Sequence, residues 1–309
     1  MQIPRSSYWS NPTTFPRNGL GSMSFVLVQV IVGGLLLGAV YALFSSGLTL
    51  VWGMMNIVNF AHGDFVMLGM YVAFVVFSAF GVGPAAGAPL ATLFLATLGI
   101  VVYFGLIRDI MKGPMLAQIL GTFGLALLLR YSVFWWFGAN FLSLPQNIVG
   151  GTLVFLGLRI EASRLLAGIV ALLVTLGLHL LLTRTSLGSK MLAVAEDATA
   201  AQLMGIRPDT MQAVAWAIAA GATGLAGALI ATFFYIVPTV GETLAIVAFV
   251  TVSLGGFGSV PGALLAGLLI GVIESLSAYL IGAVYKDIVV YALFVSFLWF
   301  RPQGLMGKM

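Results

Sequence analysis

The feature that most limits this chain is a series of continuous apolar runs, each long enough to enter or cross a bilayer. They cover residues 25–52, 64–80, 88–107, 115–137, 165–183, 213–236, 243–257, 262–281 and 287–300. A helix rises 1.5 Å per residue, so about 20 apolar residues span a hydrocarbon core roughly 30 Å thick. The runs are unbroken, whereas the strands of a membrane barrel alternate apolar and polar residues. Only 7% of the 309 residues are charged, against roughly 25% in a soluble domain. So few charges cannot cover a surface that faces water. In lipid every backbone group must be satisfied internally. The expected fold is an all-α integral membrane bundle of eight or nine transmembrane helices over residues 25–309. Ahead of it, residues 1–24 read as a flexible tail rich in Ser, Pro, Asn and Gly, without the apolar block of a signal peptide.

Turn residues punctuate the runs at Gly81–Pro84, Lys112-Gly113-Pro114, Gly255–Gly258, Val260-Pro261-Gly262 and Arg301-Pro302. Arg108 and Lys112, Arg184, Lys190 and Arg207, and Arg301 and Lys308 are seven of the thirteen basic residues. Counting spans places all three groups on one side, and an excess of Lys and Arg marks that side as cytoplasmic. Segments 138–164 and 282–286 then lie outside. Nine crossings put the N-terminus outside and eight put it inside, in which case one block is re-entrant or broken. Tyr131, Phe134, Trp135, Trp136 and Phe137 form an outer interfacial belt, towards which Arg130 is expected to snorkel. Residues 138–163 are expected to hold a small hairpin centred on Gly150-Gly151. No internal repeat is visible.

The one long cytoplasmic segment between spans, 184–212, holds six of the 22 charges. Its middle, Lys190–Met204, is expected to be helical. Met191, Val194, Ala198, Ala201 and Met204 recur at helical spacing as one apolar stripe, and Gly205 and Pro208 stop the helix. A short surface helix joined to two spans can transmit force from a soluble partner; an ordinary solvated loop would look similar.

Polar residues within the spans are few. Asn56, Asn59, His62 and Asp64 cluster between the first two runs, among Gly53, Gly63 and Gly69. Two readings stand: a pathway or gate made by a broken helix, or a cytoplasmic turn where Asn59 or Asp64 caps the next helix. Glu242 reads as an acid solvated at the outer interface. Glu274, deep in its run beside Ser275 and Ser277, suits either interhelical hydrogen bonding or a cavity. His179 reads as a cytoplasmic-interface residue. Neither histidine has a second His or Cys nearby, and the chain has no cysteine, so no metal site and no disulfide is expected. Gly34-x-x-x-Gly38 and Gly267-x-x-x-Gly271 are small-residue packing faces.

Several stretches together resemble the LivH-type permeases of branched-chain amino acid ABC importers. They are Tyr41-Ala42-Leu43, Gly47–Gly53, Ile57–Asp64 (IVNFAHGD), Ala193–Asp197 (AVAED) with Leu203–Ile206 (LMGI), Gly255–Gly262 (GGFGSVPG), Tyr285–Asp287 and Arg301–Leu305. The resemblance runs from about residue 25 to the end, and 1–24 lies outside it. Within the loop, Thr199-Ala200-Ala201-x-x-x-Gly205 resembles the EAA-x-x-x-G coupling motif, with Thr in place of Glu. The resemblance implies that 192–206 docks on an ATPase, with Glu196, Asp197, Ala201 and Gly205 at the contact. It implies a heterodimer with a second related permease, two cytoplasmic ATPase subunits, a periplasmic solute-binding protein, and residence in the bacterial inner membrane. Asn59, His62, Asp64 and Glu274 are the pathway candidates. No cofactor or nucleic acid is expected. None of the four lysines sits in a G-x-x-x-x-G-K-[ST] loop, so ATP hydrolysis falls to another chain. The solute is expected to be a branched-chain amino acid, or urea or a short amide. An ion-coupled carrier using Asp64 and Glu274 is the rival of another class. No intramembrane protease motif such as H-E-x-x-H or G-x-S-x-G occurs.

Overall fold

A computed structural model describes residues 19–81, 83–144, 151–155, 157–301 and 303–307. The tail residues 1–18 lie outside the described residues, and α1 (Gly19–Met55) begins ahead of the apolar run it contains. α2 (His62–Phe80) and α3 (Pro84–Val102) follow, the latter extended by a π-helical turn at Tyr103–Ile107 and the short α4 (Arg108–Ile110). Next come α5 (Met115–Phe137) and α6 (Ala162–Arg184), and then the loop helices α7 (Ser186–Glu196) and α8 (Ala198–Leu203). α9 (Pro208–Ile230), α10 (Val240–Gly255), α11 (Val260–Leu280) and α12 (Lys286–Phe300) complete the chain. Seven helices among the described residues are long and apolar enough to cross a membrane, while α10 is shorter. The chain is a polytopic helical bundle.

Small residues decide how the helices pack. The Gly34–Gly38 and Gly267–Gly271 faces, expected as packing faces, meet each other across α1 and α11. A Cβ on Gly34 would stand 2.7 Å from the Gly271 carbonyl oxygen, and one on Gly267 would stand 2.7 Å from the Ala42 nitrogen. Lipid tails give no hydrophobic drive for helix association, so backbones close enough for dispersion to act are what hold such pairs. α9 is the central post. Its buried face is mostly Ala and Gly, and it receives Gly69 of α2 and Gly99 of α3 at backbone distance.

The three basic segments do lie on one face. Arg108 pairs with Asp209 at 2.7 Å, and the Gly256–Ser259 turn packs under the end of α1, where Gly258 N–H donates to Thr49 Oγ1 at 3.0 Å. The C-terminal segment is pinned to that turn by Leu305 N–H to the Leu254 carbonyl, at 2.8 Å. The start of α1 is therefore on the opposite face. A hairpin is present in the outer segment, but its turn is at Gly157 rather than Gly150-Gly151. β1 (Thr152–Phe155) pairs antiparallel with β2 (Leu158–Glu161), and Gly157 takes φ +84°, a backbone that favours glycine.

Two helices do not start at a membrane surface. α1 ends where Asn56 adopts φ +51°, a left-handed stop that Asn tolerates. Residues 57–61 then fold back into the bundle, with Ile57, Asn59 and Ala61 buried. His62, opening α2, reaches the Phe44 carbonyl, about 16 Å up α1 from its end at 1.5 Å per residue. Phe65 packs edge-on against Trp216, about 12 Å into α9 from its start. α10 does the same from the other side. After α9, residues 231–239 turn back, held by paired backbone hydrogen bonds between Ile236 and Leu142 (2.8 and 3.0 Å). α10 then starts with Gly241 against Asp64. Full span, fold-back and a helix that starts inside the bundle thus occur twice with opposite sense, in α1–α2 and in α9–α10. This inverted repeat is the arrangement that brings broken helices to the midplane in transporters.

Candidate functional site

α2 and α10 meet at their N-termini, and each carries the same short pattern in its first turn: Gly63-Asp64 in α2 and Gly241-Glu242 in α10. The glycines are required by the approach. A Cβ on Gly63 would stand 2.8 Å from Ala245 Cα, and one on Gly241 would stand 2.6 Å from Asp64 Oδ1. Both acids sit at the positive end of a helix dipole, which favours their charge.

Arg130 of α5 joins them. It does not snorkel to the outer belt. Its Nε donates to Asp64 Oδ1 at 3.1 Å and its Nη2 to Asp64 Oδ2 at 3.2 Å, a two-point grip. Its Nη1 donates to Glu242 Oε1. The reason is energetic: Asp64 has no solvent exposure, and an unpaired carboxylate there would carry a desolvation cost of several kcal/mol. The pairing overrides the belt a few residues further along. Glu242 is likewise not the solvated interfacial acid expected. Its side chain remains 60% exposed in this chain, yet it stands beside Asp64 within the bundle.

The other candidates fall into place around this triad. Asn59 accepts the Ala61 N–H at 3.1 Å and so shapes the fold-back itself. His62 is buried and donates Nε2–H to the Phe44 carbonyl at 2.7 Å. The Val58 carbonyl in the fold-back accepts from Thr122 of α5 at 3.0 Å. The cluster is a turn, but it lies inside the bundle, and α2 has Ala61 at its N-cap without a side-chain cap, so neither Asn59 nor Asp64 caps it as the second reading expected. Glu274 is separate from it. It pairs with Lys286 at the start of α12 and lines an outer cavity of about 460 Å³ with Gln29, Arg164 and Phe233. Both of its expected roles, interhelical pairing and facing a cavity, are present. No group of three metal-ligating side chains occurs among the described residues.

The loop 184–212 differs from a single helix over Lys190–Met204. Asp197 leaves helical geometry (φ −153°, ψ 101°) and caps α8 by accepting from Thr199 and Ala200 N–H, both at 2.9 Å. The expected stripe is divided in consequence. Met191, Val194 and Ala201 are buried against Leu50, Met54, Leu178 and Ala215. Ala198 is exposed, and Leu203 and Met204 are 84% and 83% exposed. Gly205 turns the chain at φ +81°, after which Ile206 N–H reaches back to the Ala201 carbonyl at 3.0 Å. Ala201 and Gly205 therefore form the stop of α8, and the Leu203-Met204 tip projects from it. A bound pair of spans thus presents a small apolar knob on a stiff base. Behind it a groove of about 540 Å³ is lined by Gly53, His179, Met191, Glu196, Phe257 and Met306.

Arg130 was the residue missed. Its signal was present in arithmetic: a lone base inside an apolar run has acids at membrane depth to answer to, and Asp64 and Glu242 were both available.

Comparison with known proteins bears on this geometry. Residues 30–298 match the family model described as "Branched-chain amino acid transport system / permease component". The chain is 33% identical to the high-affinity branched-chain amino acid transport system permease protein BraD of Pseudomonas aeruginosa, over 91% of this chain and 96% of that one. It is 31% identical to the corresponding LivH protein of Escherichia coli, with the same coverage. The LivM permease protein of Escherichia coli is 29% identical over 86% of this chain and 68% of its own length. No solved structure matches.

Proposed function

We infer the function from one premise: this chain belongs to the permease family of branched-chain amino acid transport systems. It is a transport permease subunit of an ABC importer, and its likeness to both LivH and LivM proteins supports a second, related permease as its partner. We propose that the solute is a branched-chain amino acid, as in the names of those relatives. We further propose that two ATPase subunits dock on the cytoplasmic loop, that a periplasmic binding protein delivers the solute, and that the membrane is the bacterial inner membrane.

The observation that carries the ATPase assignment is the Leu203-Met204 knob. An isolated exposed apolar pair at a loop tip, on a base buried against two spans, suits insertion into a groove of a soluble partner. Glu196 and Asp197 flank it, with Asp197 acting through the cap of α8. ATP-driven closure of the ATPases moves the knob, and the rigid base passes that motion to α1, α6 and α9. α2 and α10 rock about their meeting point, which is the alternating-access step.

Three variants test the coupling. Leu203→Asp with Met204→Asp is expected to lower ATP-dependent uptake by about a hundredfold, equivalent to roughly 2.8 kcal/mol of docking energy. Replacing Glu196 by Ala, or Gly205 by Val, is expected to weaken coupling less, the latter by straining a left-handed turn at about 1–2 kcal/mol. Membrane insertion should stay at the wild-type level in all of them. Uptake by the complete reconstituted importer and ATPase co-purification are the readouts. Normal values for the double variant would remove the knob from the docking site.

A further inference from the structure

We propose that Arg130 and Glu242 form an exchangeable ion pair that receives the zwitterionic head of an amino acid solute midway across the membrane. The proposal rests on the transport reading above and adds to it the place and chemistry of solute contact.

The two acids that meet at this point are not alike in their surroundings. The Gly-acid patterns of α2 and α10 are equivalent by position, but Asp64 is sealed and Glu242 is 60% exposed. Asp64 occupies Nε and Nη2 of Arg130, leaving Nη1 for Glu242. The guanidinium therefore has an anchor on one side and a replaceable partner on the other. Around Glu242 the exposed residues at the start of α10 are Thr239, Thr243 and Ile246, and two turns further along Phe249 packs against the exposed Phe60 at 5.3 Å between ring centroids. A carboxylate at this depth costs about 2.5–3.5 kcal/mol if it faces lipid, so this face looks onto protein or a solute path.

An amino acid fits that pair without changing its charge. The solute's carboxylate takes Nη1, and its ammonium takes the Glu242 carboxylate. One ion pair becomes two, Arg130 keeps its hold on Asp64, and the net charge of the three side chains stays at −1. No covalent step is involved. The exposed Thr239 and Thr243 stand close enough in sequence to complete the polar wall, and Ile246, with the Phe249–Phe60 pair beyond it, supplies an apolar one for a branched side chain. Urea and short amides carry no separated opposite charges and cannot open the Arg130–Glu242 pair in this way. The site therefore favours an amino acid over the amide alternative. It also gives the inverted repeat a purpose: the N-termini that meet are the ones that carry the acids.

The test uses the complete importer in proteoliposomes: this chain, its second permease, both ATPases and the binding protein. The readout is leucine taken up per ATP hydrolysed. Glu242→Gln is expected to lower that ratio by about tenfold, the size of one lost ion pair worth roughly 1.4 kcal/mol, and Glu242→Asp should restore most of it. A merely structural role would lower uptake and hydrolysis together and leave the ratio alone, which overturns the proposal, as does a wild-type ratio. A second measurement leaves the pair intact. The chain has no cysteine, so Thr243→Cys gives one label site on it. Leucine is expected to slow maleimide labelling there about threefold or more during turnover, as occupancy of a site does; no slowing overturns the proposal. If the wild-type importer takes up no amino acid with ATP, the reading of function fails first, whatever Glu242 does.

Discussion

Arg130→Met is expected to cost about 3–5 kcal/mol of stability, because it strands the buried Asp64 carboxylate without a partner. The size follows from burial and geometry together. Asp64 has no exposed side-chain surface, and both of its oxygens are engaged by the same guanidinium at 3.1 and 3.2 Å. Asp64→Asn should cost less, since a neutral amide needs no counter-charge, although Arg130 keeps only Glu242. The double variant Asp64→Asn with Arg130→Met is expected to be more stable than Arg130→Met alone, because no orphan charge remains. Thermal unfolding of the four proteins in one detergent gives the coupling as a double-mutant cycle. A coupling near zero would mean that the ion pair does not hold α2 to α5. Stability and transport separate here: the double variant regains folding but lacks the guanidinium that the solute needs.

Gly271→Leu is expected to prevent α1 and α11 from packing. Ordinary overpacking costs about 1–3 kcal/mol because neighbours can shift. Here the neighbours are backbone atoms of Gly34 and Gly38, and no side chain is available to move. The expected result is loss of most folded, detergent-stable protein. Gly177→Leu is the control, since nothing lies within 4 Å of a Cβ at that position; it should purify at the wild-type level. Equal yields for the two variants would contradict the close packing of α1 on α11.

Much of the architecture was legible because lipid leaves few choices. Run length gave the helices, and charge placement gave the common face of the 108–112, 184–207 and 301 segments, now tied by Arg108–Asp209 and the Gly256–Ser259 turn. The glycine faces were legible as faces, though not that they oppose each other, since spacing within one helix says nothing of its partner. The depth of α2 and α10 was hidden. Both have the apolar composition of ordinary spans, and only the buried fold-back at 57–61 and the Leu142–Ile236 bridge show that they start inside. The repeat escaped notice for a related reason. It consists of a direction reversal and a Gly-acid pair, too little sequence to align. Arg130 departs from the expected belt because its partners lie 66 and 112 positions away, beyond the reach of local composition. In the loop, helical spacing was right for Met191, Val194 and Ala201. It failed beyond Asp197, because a side-chain cap resets the phase of the helix and turns Leu203 and Met204 outward.

The central claim is that this chain is a permease half that moves solute only when powered by ATPases on its cytoplasmic loop. Leucine uptake into proteoliposomes measures this directly, with the chain alone under a sodium or proton gradient set beside the complete importer supplied with ATP. Uptake is expected from the importer with ATP and none from the chain alone under either gradient. Gradient-driven uptake by the chain alone, without any ATPase, would contradict it and make Asp64 or Glu274 part of a coupling-ion site.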